Sequence, residues 1–257
     1  MKKTLGLYIH IPFCERKCNY CGFLSFVIKE NNDNYFKLGE NDDIVGETAS
    51  VKDYFDNLLK EIDNRGEYLR DKYVVDTIFI GGGTPSVVDE EYIEKLLKKI
   101  KLHYDVHEDV EITIEANPNS LTEKKIVSYK NAGINRISIG VQSFDDDELR
   151  MLGRLHNEEM AIDKINLCRK LGIENLSVDL IFDLPDQKFE SWHRTLIKAI
   201  SLGVDHISAY SLQIEEGTKF YREFKMGSLS TADDEKLRKF YDLAVNELTD
   251  AGYDHYE

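Results

Sequence analysis

The sequence predicts an α/β fold in which six strand–helix units form a partial, TIM-like (β/α)6 barrel. Strands alternate with helical patterns six times along the 257 residues, which is the pattern of βα units in a parallel sheet. The second strand, residues 74–80, is an apolar, β-branched run of the kind that is buried on both faces. The unusual polar motifs all follow strands, where such folds carry their chemistry. We therefore expect one domain over residues 1–257, with its site at the carboxyl ends of the strands.

The predicted elements follow one another in a regular order. Strands are predicted at residues 5–11, 74–80, 111–116, 136–141, 176–182 and 206–212. Helices are predicted at residues 52–65, 89–101, 122–132, 145–152, 158–171, 189–202 and 232–251, with Gly133 closing the third. Residues 27–50 break this rhythm with the polar stretches 30–34 and 39–43. A polar stretch of this kind buries little apolar surface, so we expect a solvated, mobile insertion there.

The composition is that of a globular protein without a membrane span. Hydrophobic residues make up 42% of the chain and charged residues 32%, and no apolar run is long enough to cross a bilayer. The chain passes from Lys2 and Lys3 straight into a strand, so we expect no targeting segment and a cytoplasmic location. With 33 basic and 48 acidic residues the net charge is −15, whereas nucleic-acid binders usually carry a basic footprint. We therefore expect no nucleic-acid partner.

Three of the four cysteines lie close together after the first strand. Cys14, Cys18 and Cys21 form a C-x3-C-x2-C run, and iron–sulfur clusters are held by such thiolates. Three ligands would leave one iron of a four-iron cluster open to a small molecule. A zinc site would need a fourth ligand, for which His10 is the near candidate, and a disulfide would leave one cysteine over. Cys168 lies in a helical pattern, where we expect a buried and inert thiol.

The lead-in to these cysteines carries a family resemblance. Residues 8–14 read Y-I-H-I-P-F-C, which resembles the cluster loop of the radical S-adenosylmethionine (SAM) superfamily. It is most similar to the oxygen-independent coproporphyrinogen III oxidases and their heme-chaperone relatives. The resemblance implies that Cys14, Cys18 and Cys21 hold a [4Fe–4S] cluster and that SAM chelates its open iron. Reductive cleavage of SAM in this superfamily gives methionine and a 5′-deoxyadenosyl radical.

A glycine run after the second strand matches a second motif of the superfamily. Residues 81–85 read G-G-G-T-P, and glycine lets a backbone approach a ligand closely because it has no Cβ and tolerates positive φ. The run lacks the lysine of a P-loop and the spacing of a dinucleotide fingerprint. It resembles the superfamily element that holds the amino group of SAM. The resemblance assigns this role to Gly82, Gly83 and Thr84.

Further cofactor contacts are implied at the ends of later strands. Glu115 lies in E-A-N-P, Gln142 in G-V-Q-S-F and Arg154 in L-G-R-L-H, each of which is similar to a family element. The Arg154 guanidinium could pair with the SAM carboxylate. Asp179 lies in D-L-I-F-D-L-P; a carboxylate in an apolar strand needs a partner or a function, and Asp183 stands where the family commonly has glycine. By resemblance alone, the cofactor is also contacted by Tyr8 and Tyr20.

Two departures favour the heme-chaperone branch over the oxidase. The oxidase loop typically continues to a further cysteine, where this chain has Phe23, and only seven residues precede Tyr8. The resemblance then implies binding of heme and its delivery to an apo-protein, without decarboxylation of coproporphyrinogen III. The alternatives are the oxidase itself and a radical SAM enzyme that modifies tRNA.

The resemblance to the heme-chaperone branch also implies which partners to expect. They are heme or a porphyrinogen, a one-electron reductant protein, a heme-accepting apo-protein and, peripherally, membrane proteins. Residues 252–257 resemble the start of the family stretch G-Y-x-x-Y-E-I-S-N-F. We therefore expect the C-terminal domain of the family to be missing from this chain, and with it the residues that bind heme.

Overall fold

The computed structural model describes residues 2–28, 34–36, 49–231 and 233–256, with the backbone alone for 34–36 and 49. The chain divides into two compact units. Unit one comprises residues 1–17, 23–137 and 168–174, and unit two comprises residues 18–22, 138–167 and 175–257. The assignment of residues 1–257 to a single domain stays a prediction.

Unit one contains the first half of the strand–helix units. Its elements are, in chain order, β1 (Lys3–Ile11), β2 (Phe13–Cys14), β3 (Phe26–Ile28), β4 (Asn34–Phe36), β5 (Ala49–Ser50), α1 (Val51–Leu69), β6 (Tyr73–Gly82), α2 (Glu90–His103), β7 (Val106–Ala116) and α3 (Glu123–Ala132). Strands β1, β6 and β7 pair in parallel in that order. Ile78 and Ile80 on β6 are fully buried, as the apolar run predicts. Gly133 ends α3 in the left-handed conformation, which confirms the predicted stop.

The remaining elements belong to unit two, except that the first two residues of the strand at 136–142 and the last three of the helix at 158–170 belong to unit one. They are β8 (Arg136–Gln142), α4 (Asp146–Leu152), α5 (Glu158–Lys170), β9 (Asn175–Phe182), α6 (Phe189–Ser201), β10 (His206–Ser211), α7 (Lys219–Lys225) and α8 (Asp234–Asp250). Strands β9 and β10 pair in parallel. The core includes Trp192 on α6, which is fully buried against Phe182 and Phe240 and donates from Nε1 to the carbonyl oxygen of Phe240. The Trp192 position reads in the sequence as an ordinary helix face, and the structure makes it a centre of the core.

The predicted α/β fold with six strand–helix units is confirmed, and the elements differ from the prediction mainly in length. Strand β7 begins five residues earlier than predicted, at Val106, and helix α1 extends to Leu69. The short helix α7 is not predicted, because seven residues carry too little periodicity to be recognised. None of the helices among the described residues is both long enough and apolar enough to span a bilayer.

The region after the first cysteine contains a small second sheet that the sequence does not predict. Strands β2 to β5 pair in that order, and Cys14 lies in β2 opposite Val27 of β3. The predicted mobile insertion covers residues 27–50, of which 29–33 and 37–48 lie outside the described residues. The first cysteine is therefore held by strand pairing on a short β-ribbon.

Candidate functional site

In unit one, the glycine motif is bonded to the chain that leads into Cys14. The backbone N–H of Gly83 donates to Ile11 and that of Thr84 donates to Phe13, at 2.9 and 2.7 Å. The Thr84 hydroxyl lies 3.6 Å from the Cys14 sulfur, as donor to it. A Cβ on Gly83 would lie 2.6 Å from the carbonyl oxygen of Phe13, so only glycine permits this approach. The structure thus brings Thr84 against the first predicted cluster ligand.

Glu115 binds the backbone of Gly82, the residue before Gly83. Its Oε2 accepts a hydrogen bond from the Gly82 backbone N–H at 3.0 Å, and Gly82 has φ +121°, which favours glycine. Gly82 belongs to the end of β6 rather than to the turn after it. The predicted residues Gly82 and Glu115 therefore meet at the ends of neighbouring strands.

Tyr8 lies on β1 beside the same strands. Its ring stacks on Phe79 at a centroid distance of 6.1 Å, and its hydroxyl lies 3.2 Å from His10 Nδ1. Burial and the charge of Glu115 raise the pKa of Tyr8, which keeps the phenol neutral. The other ring nitrogen of His10 faces the Leu24 carbonyl oxygen at 3.4 Å. His10 is thus turned towards Tyr8 and Leu24, which argues against its service as a fourth zinc ligand.

In unit two, Asn19 anchors the loop that carries Cys18 and Cys21. Its backbone N–H donates to Leu152 at 3.0 Å, and its Nδ2 donates to Met151 at 2.8 Å. Its carbonyl oxygen accepts from Phe220 at 2.9 Å. These bonds tie the loop to the end of α4 and to the first turn of α7. The sequence gives little sign of this role, because an asparagine among cysteines resembles any loop residue.

Gly153 makes the approach of Asn19 to α4 possible. It ends α4 with φ +78°, and a Cβ there would lie 3.2 Å from the Asn19 side-chain carbon and oxygen. Both the left-handed conformation and the tight contact favour glycine. The glycine of L-G-R-L-H therefore packs the cysteine loop, a role that the sequence does not reveal.

Arg154 lies directly against that loop. Its Nη1 lies 3.5 Å from the Cys18 sulfur, and its Nη2 donates to the carbonyl oxygen of Gly140 at 2.6 Å. The guanidinium therefore offers positive charge to a thiolate, the form of cysteine that ligates iron–sulfur clusters. Tyr20 packs against the apolar cluster that contains Leu152, and burial raises its pKa well above the ordinary value.

Gln142 ends β8 in the left-handed region, with φ 72°. Non-glycine residues rarely adopt this conformation, and it is concentrated at functional sites. The side-chain Oε1 of Gln142 accepts from the Tyr210 hydroxyl at 2.9 Å. The preceding carbonyl oxygen, of Val141, accepts from Nε2 of the buried His156 at 3.1 Å. Tyr210 and His156 are site residues that sequence reasoning missed, although His156 stands in the quoted L-G-R-L-H motif.

Asp179 has the partner that its place in an apolar strand demands. Its Oδ1 accepts from the Ser138 hydroxyl at 3.2 Å. Burial, and after it the charge of Asp179, raises the pKa of Tyr210, so the phenol stays protonated. Asp183, which stands where the family has glycine, has φ 60°. That left-handed conformation explains why glycine is common there, and aspartate is one of the few other residues that tolerate it.

The donor set fits an iron–sulfur cluster better than the alternatives. The four cysteines, all within the described residues, are thiols rather than disulfides. Cys168 is fully buried, as predicted for an inert thiol. Thr84 and Arg154 place a hydroxyl donor and a positive charge beside two of the three clustered thiols, which suits thiolates that hold a cluster.

Comparisons with known proteins agree with these motifs. Residues 8–199 match the family model of the Radical SAM superfamily. A protein named heme chaperone HemW from Haemophilus influenzae is 38% identical, and the match covers 98% of this chain and 61% of that protein. A protein of the same name from Escherichia coli is 39% identical, with coverage of 98% and 61%. The chain thus spans 61% of the length of each of these relatives.

A solved structure shows the same fold. It is that of coproporphyrinogen III oxidase (HemN) from Escherichia coli, titled a radical SAM enzyme. It matches with a TM-score of 0.81 and 26% identity, over 98% of this chain and 54% of that chain. The predicted fold class, a partial (β/α)6 barrel of the radical SAM type, is confirmed.

The contact between Gly153 and Asn19 can be tested by adding one methyl group. We expect Gly153→Ala to destabilise the protein by about 1–3 kcal/mol more than Gly203→Ala, because overpacking is added to backbone strain. Gly203 also has positive φ but no atom within 4 Å of a built Cβ. Urea unfolding followed by fluorescence of the single tryptophan, Trp192, measures both. In an Asn19→Ala background the difference should vanish; an undiminished difference would show that Asn19 is not the obstacle.

The buried histidine predicts a dependence of stability on pH. Burial, and after it the charge of Arg154, lowers the pKa of His156 to about 4, although the bond to Val141 and the charge of Asp146 oppose this. An unfolded histidine titrates near pH 6.5, so the unfolded chain binds this proton first as the pH falls. The neutral His156 therefore contributes stability fully above about pH 6.5, and about 3 kcal/mol is lost as the pH falls towards 4.

The matched variant for this prediction is His156→Gln, which keeps an amide donor for Val141 but does not titrate. Free energies of urea unfolding between pH 4.5 and 7 should fall less steeply with acidification in the variant than in the wild type. Parallel pH profiles would contradict the assignment of a buried, neutral His156.

Proposed function

The chain belongs to the radical SAM superfamily, and on that premise we propose that it is the core of a heme chaperone that holds a [4Fe–4S] cluster and SAM. One observation supports the cofactor assignment above the others. Within each unit, a clustered cysteine lies against a residue of a superfamily motif: Cys14 against Thr84, and Cys18 against Arg154. Thr84 is 70 residues from Cys14 in sequence, and Arg154 is 136 residues from Cys18, so each contact is made by folding rather than by sequence proximity.

We assign the cluster to Cys14, Cys18 and Cys21. When bound, the reduced cluster supplies one electron for the cleavage of SAM. Cys14 is positioned by the β2–β3 pairing, and Cys18 is positioned by the bonds of the neighbouring Asn19. The backbone N–H of Cys21 donates to the Cys18 carbonyl oxygen at 3.3 Å, which closes a tight turn between the last two ligands. The chain therefore holds the three thiols on short, tethered segments.

We assign the SAM contacts to the motif residues at the strand ends and around the cysteines, which are Tyr8, Tyr20, Gly82, Gly83, Thr84, Glu115, Gln142, Arg154 and Asp179. Glu115 fixes the glycine backbone through Gly82, so that the backbone groups of this segment can bind the amino end of the cofactor. The Arg154 guanidinium carries the charge that suits the carboxylate of SAM. The Asp179 carboxylate, on β9, supplies a hydrogen-bond acceptor. Gln142, on the neighbouring strand β8, supplies an amide.

Heme delivery is proposed from the relatives rather than from the site. The two relatives named heme chaperones are 38% and 39% identical to the chain, whereas the oxidase is 26% identical. Phe23, which is 71% exposed, stands where the oxidase loop typically has a further cysteine. The partners proposed are heme, a one-electron reductant protein and a heme-accepting apo-protein, with peripheral contact to membrane proteins.

The cluster assignment predicts which thiols are needed for iron. After anaerobic reconstitution, we expect alanine at Cys14, Cys18 or Cys21 to abolish the visible absorbance of the cluster and its iron content, because each thiolate ligates iron. Cys168→Ala is the control and should retain both, since Cys168 is buried in unit one outside the cysteine loop. A dispensable member of the trio, or loss of iron in Cys168→Ala alone, would contradict the assignment.

The chaperone and oxidase functions differ in their product. We expect the reconstituted protein, incubated anaerobically with reductant, SAM and coproporphyrinogen III, to form no protoporphyrinogen IX by chromatography. A protein that spans the full length of the relatives should instead bind heme, with a shift of the heme absorbance band, and release it to an apo-cytochrome. Formation of protoporphyrinogen IX would contradict the chaperone function and support the oxidase. Absence of both protoporphyrinogen IX and heme binding in that full-length protein would refute both functions.

A further inference from the structure

Gln142 is held from two sides in a conformation that costs free energy. Its φ of 72° lies in a region where a residue other than glycine is strained, and such strain persists only where the surroundings enforce it. On the backbone side, His156 Nε2 donates to the carbonyl oxygen of Val141. On the side-chain side, the Tyr210 hydroxyl donates to Oε1 at 2.9 Å. Both contacts lie within unit two, and together they fix the conformation of Gln142.

The contact with Tyr210 decides which end of the amide is available to a ligand. A glutamine amide has an acceptor oxygen and two N–H donors at opposite corners. Tyr210 occupies the oxygen, and within the described part of the chain Gln142 Nε2 makes no hydrogen bond. The two N–H donors therefore remain for a partner other than the described residues.

The phenol is suited to hold this orientation. Burial, followed by the nearby charge of Asp179, raises the pKa of Tyr210, so its hydroxyl stays a donor at neutral pH. In the structure the phenol hydroxyl is the donor and the amide oxygen is the acceptor. This hydrogen bond holds the amide with its oxygen towards Tyr210 and its N–H groups on the other side.

We infer that Tyr210 is a positioning residue that fixes the Gln142 amide so that its N–H donors face an acceptor oxygen of SAM. This inference rests on the proposed binding of SAM and adds how unit two recognises it. The oxygens of SAM that can accept from these donors are those of its carboxylate and of its ribose hydroxyl groups. Tyr210 acts through Gln142 and needs no contact with the cofactor.

The test is a double-mutant cycle on SAM affinity, measured by calorimetry on protein with equal cluster content. Tyr210→Phe removes only the hydroxyl and should weaken SAM binding about three- to tenfold, the range expected for one misoriented hydrogen bond. In a Gln142→Ala background, Tyr210→Phe should cause no further loss, because the residue that it positions is gone. The matched control is Tyr253→Phe, which removes a phenol bond to the Val204 carbonyl oxygen and should leave the affinity unchanged.

The outcomes separate this inference from its premise. Unchanged affinity in Tyr210→Phe, or losses that add fully to those of Gln142→Ala, would overturn the positioning role while SAM binding stands. Loss of affinity in Tyr253→Phe equal to that in Tyr210→Phe would show a general effect of stability and would also overturn it. No binding of SAM to the wild type with its cluster intact would overturn both the inference and the proposed cofactor.

Discussion

The hydrogen bonds of Asn19 are the constraint on which the candidate site depends. The segment with Cys18 and Cys21 contains no helix or strand, so contacts with other elements must fix its position. Asn19 supplies these contacts through its backbone N–H, its Nδ2 and its carbonyl oxygen, which bind Leu152, Met151 and Phe220. The same contact brings α4 close enough for Arg154, two residues beyond Leu152, to reach the Cys18 sulfur. Asn19 thus positions the segment with Cys18 against the end of α4, and the bond to Gly140 orients the Arg154 guanidinium.

Two residues at strand ends have strained backbone conformations. Gln142 ends β8 and Asp183 follows β9, and both have positive φ without being glycine. Such residues cost free energy that the surrounding structure must offset. Two hydrogen bonds hold this segment: His156 donates to the Val141 carbonyl oxygen, and Tyr210 donates to the Gln142 side chain. Parallel strands bring their carboxyl ends to one edge, so this strain lies where a ligand of such folds is bound.

Much of the fold follows from the sequence, and much of the site's support does not. The strand positions and the helix stop at Gly133 are readable because they depend on local periodicity and on a single conformational preference. Asp179 is recognised as an acid in an apolar strand, whereas Glu115 is recognised through the resemblance of its motif to a family element. Tyr210 is not found, because a strand tyrosine whose hydroxyl reaches Gln142 looks like any other before the chain folds. The roles of Asn19 and α7 cannot be predicted from the sequence for the same reason. They arise from contacts between segments that are distant in sequence.

The central claim is that the anchored cysteine loop carries a cluster to which SAM binds directly. Electron paramagnetic resonance of the dithionite-reduced protein, recorded with and without SAM, tests it in one measurement. We expect the signal of a single reduced [4Fe–4S] cluster, whose g values change when SAM is added. An iron without a protein ligand can bind SAM directly, and this binding alters the electronic structure of the cluster. A signal that SAM leaves unchanged, or no cluster signal after reconstitution, would contradict the account.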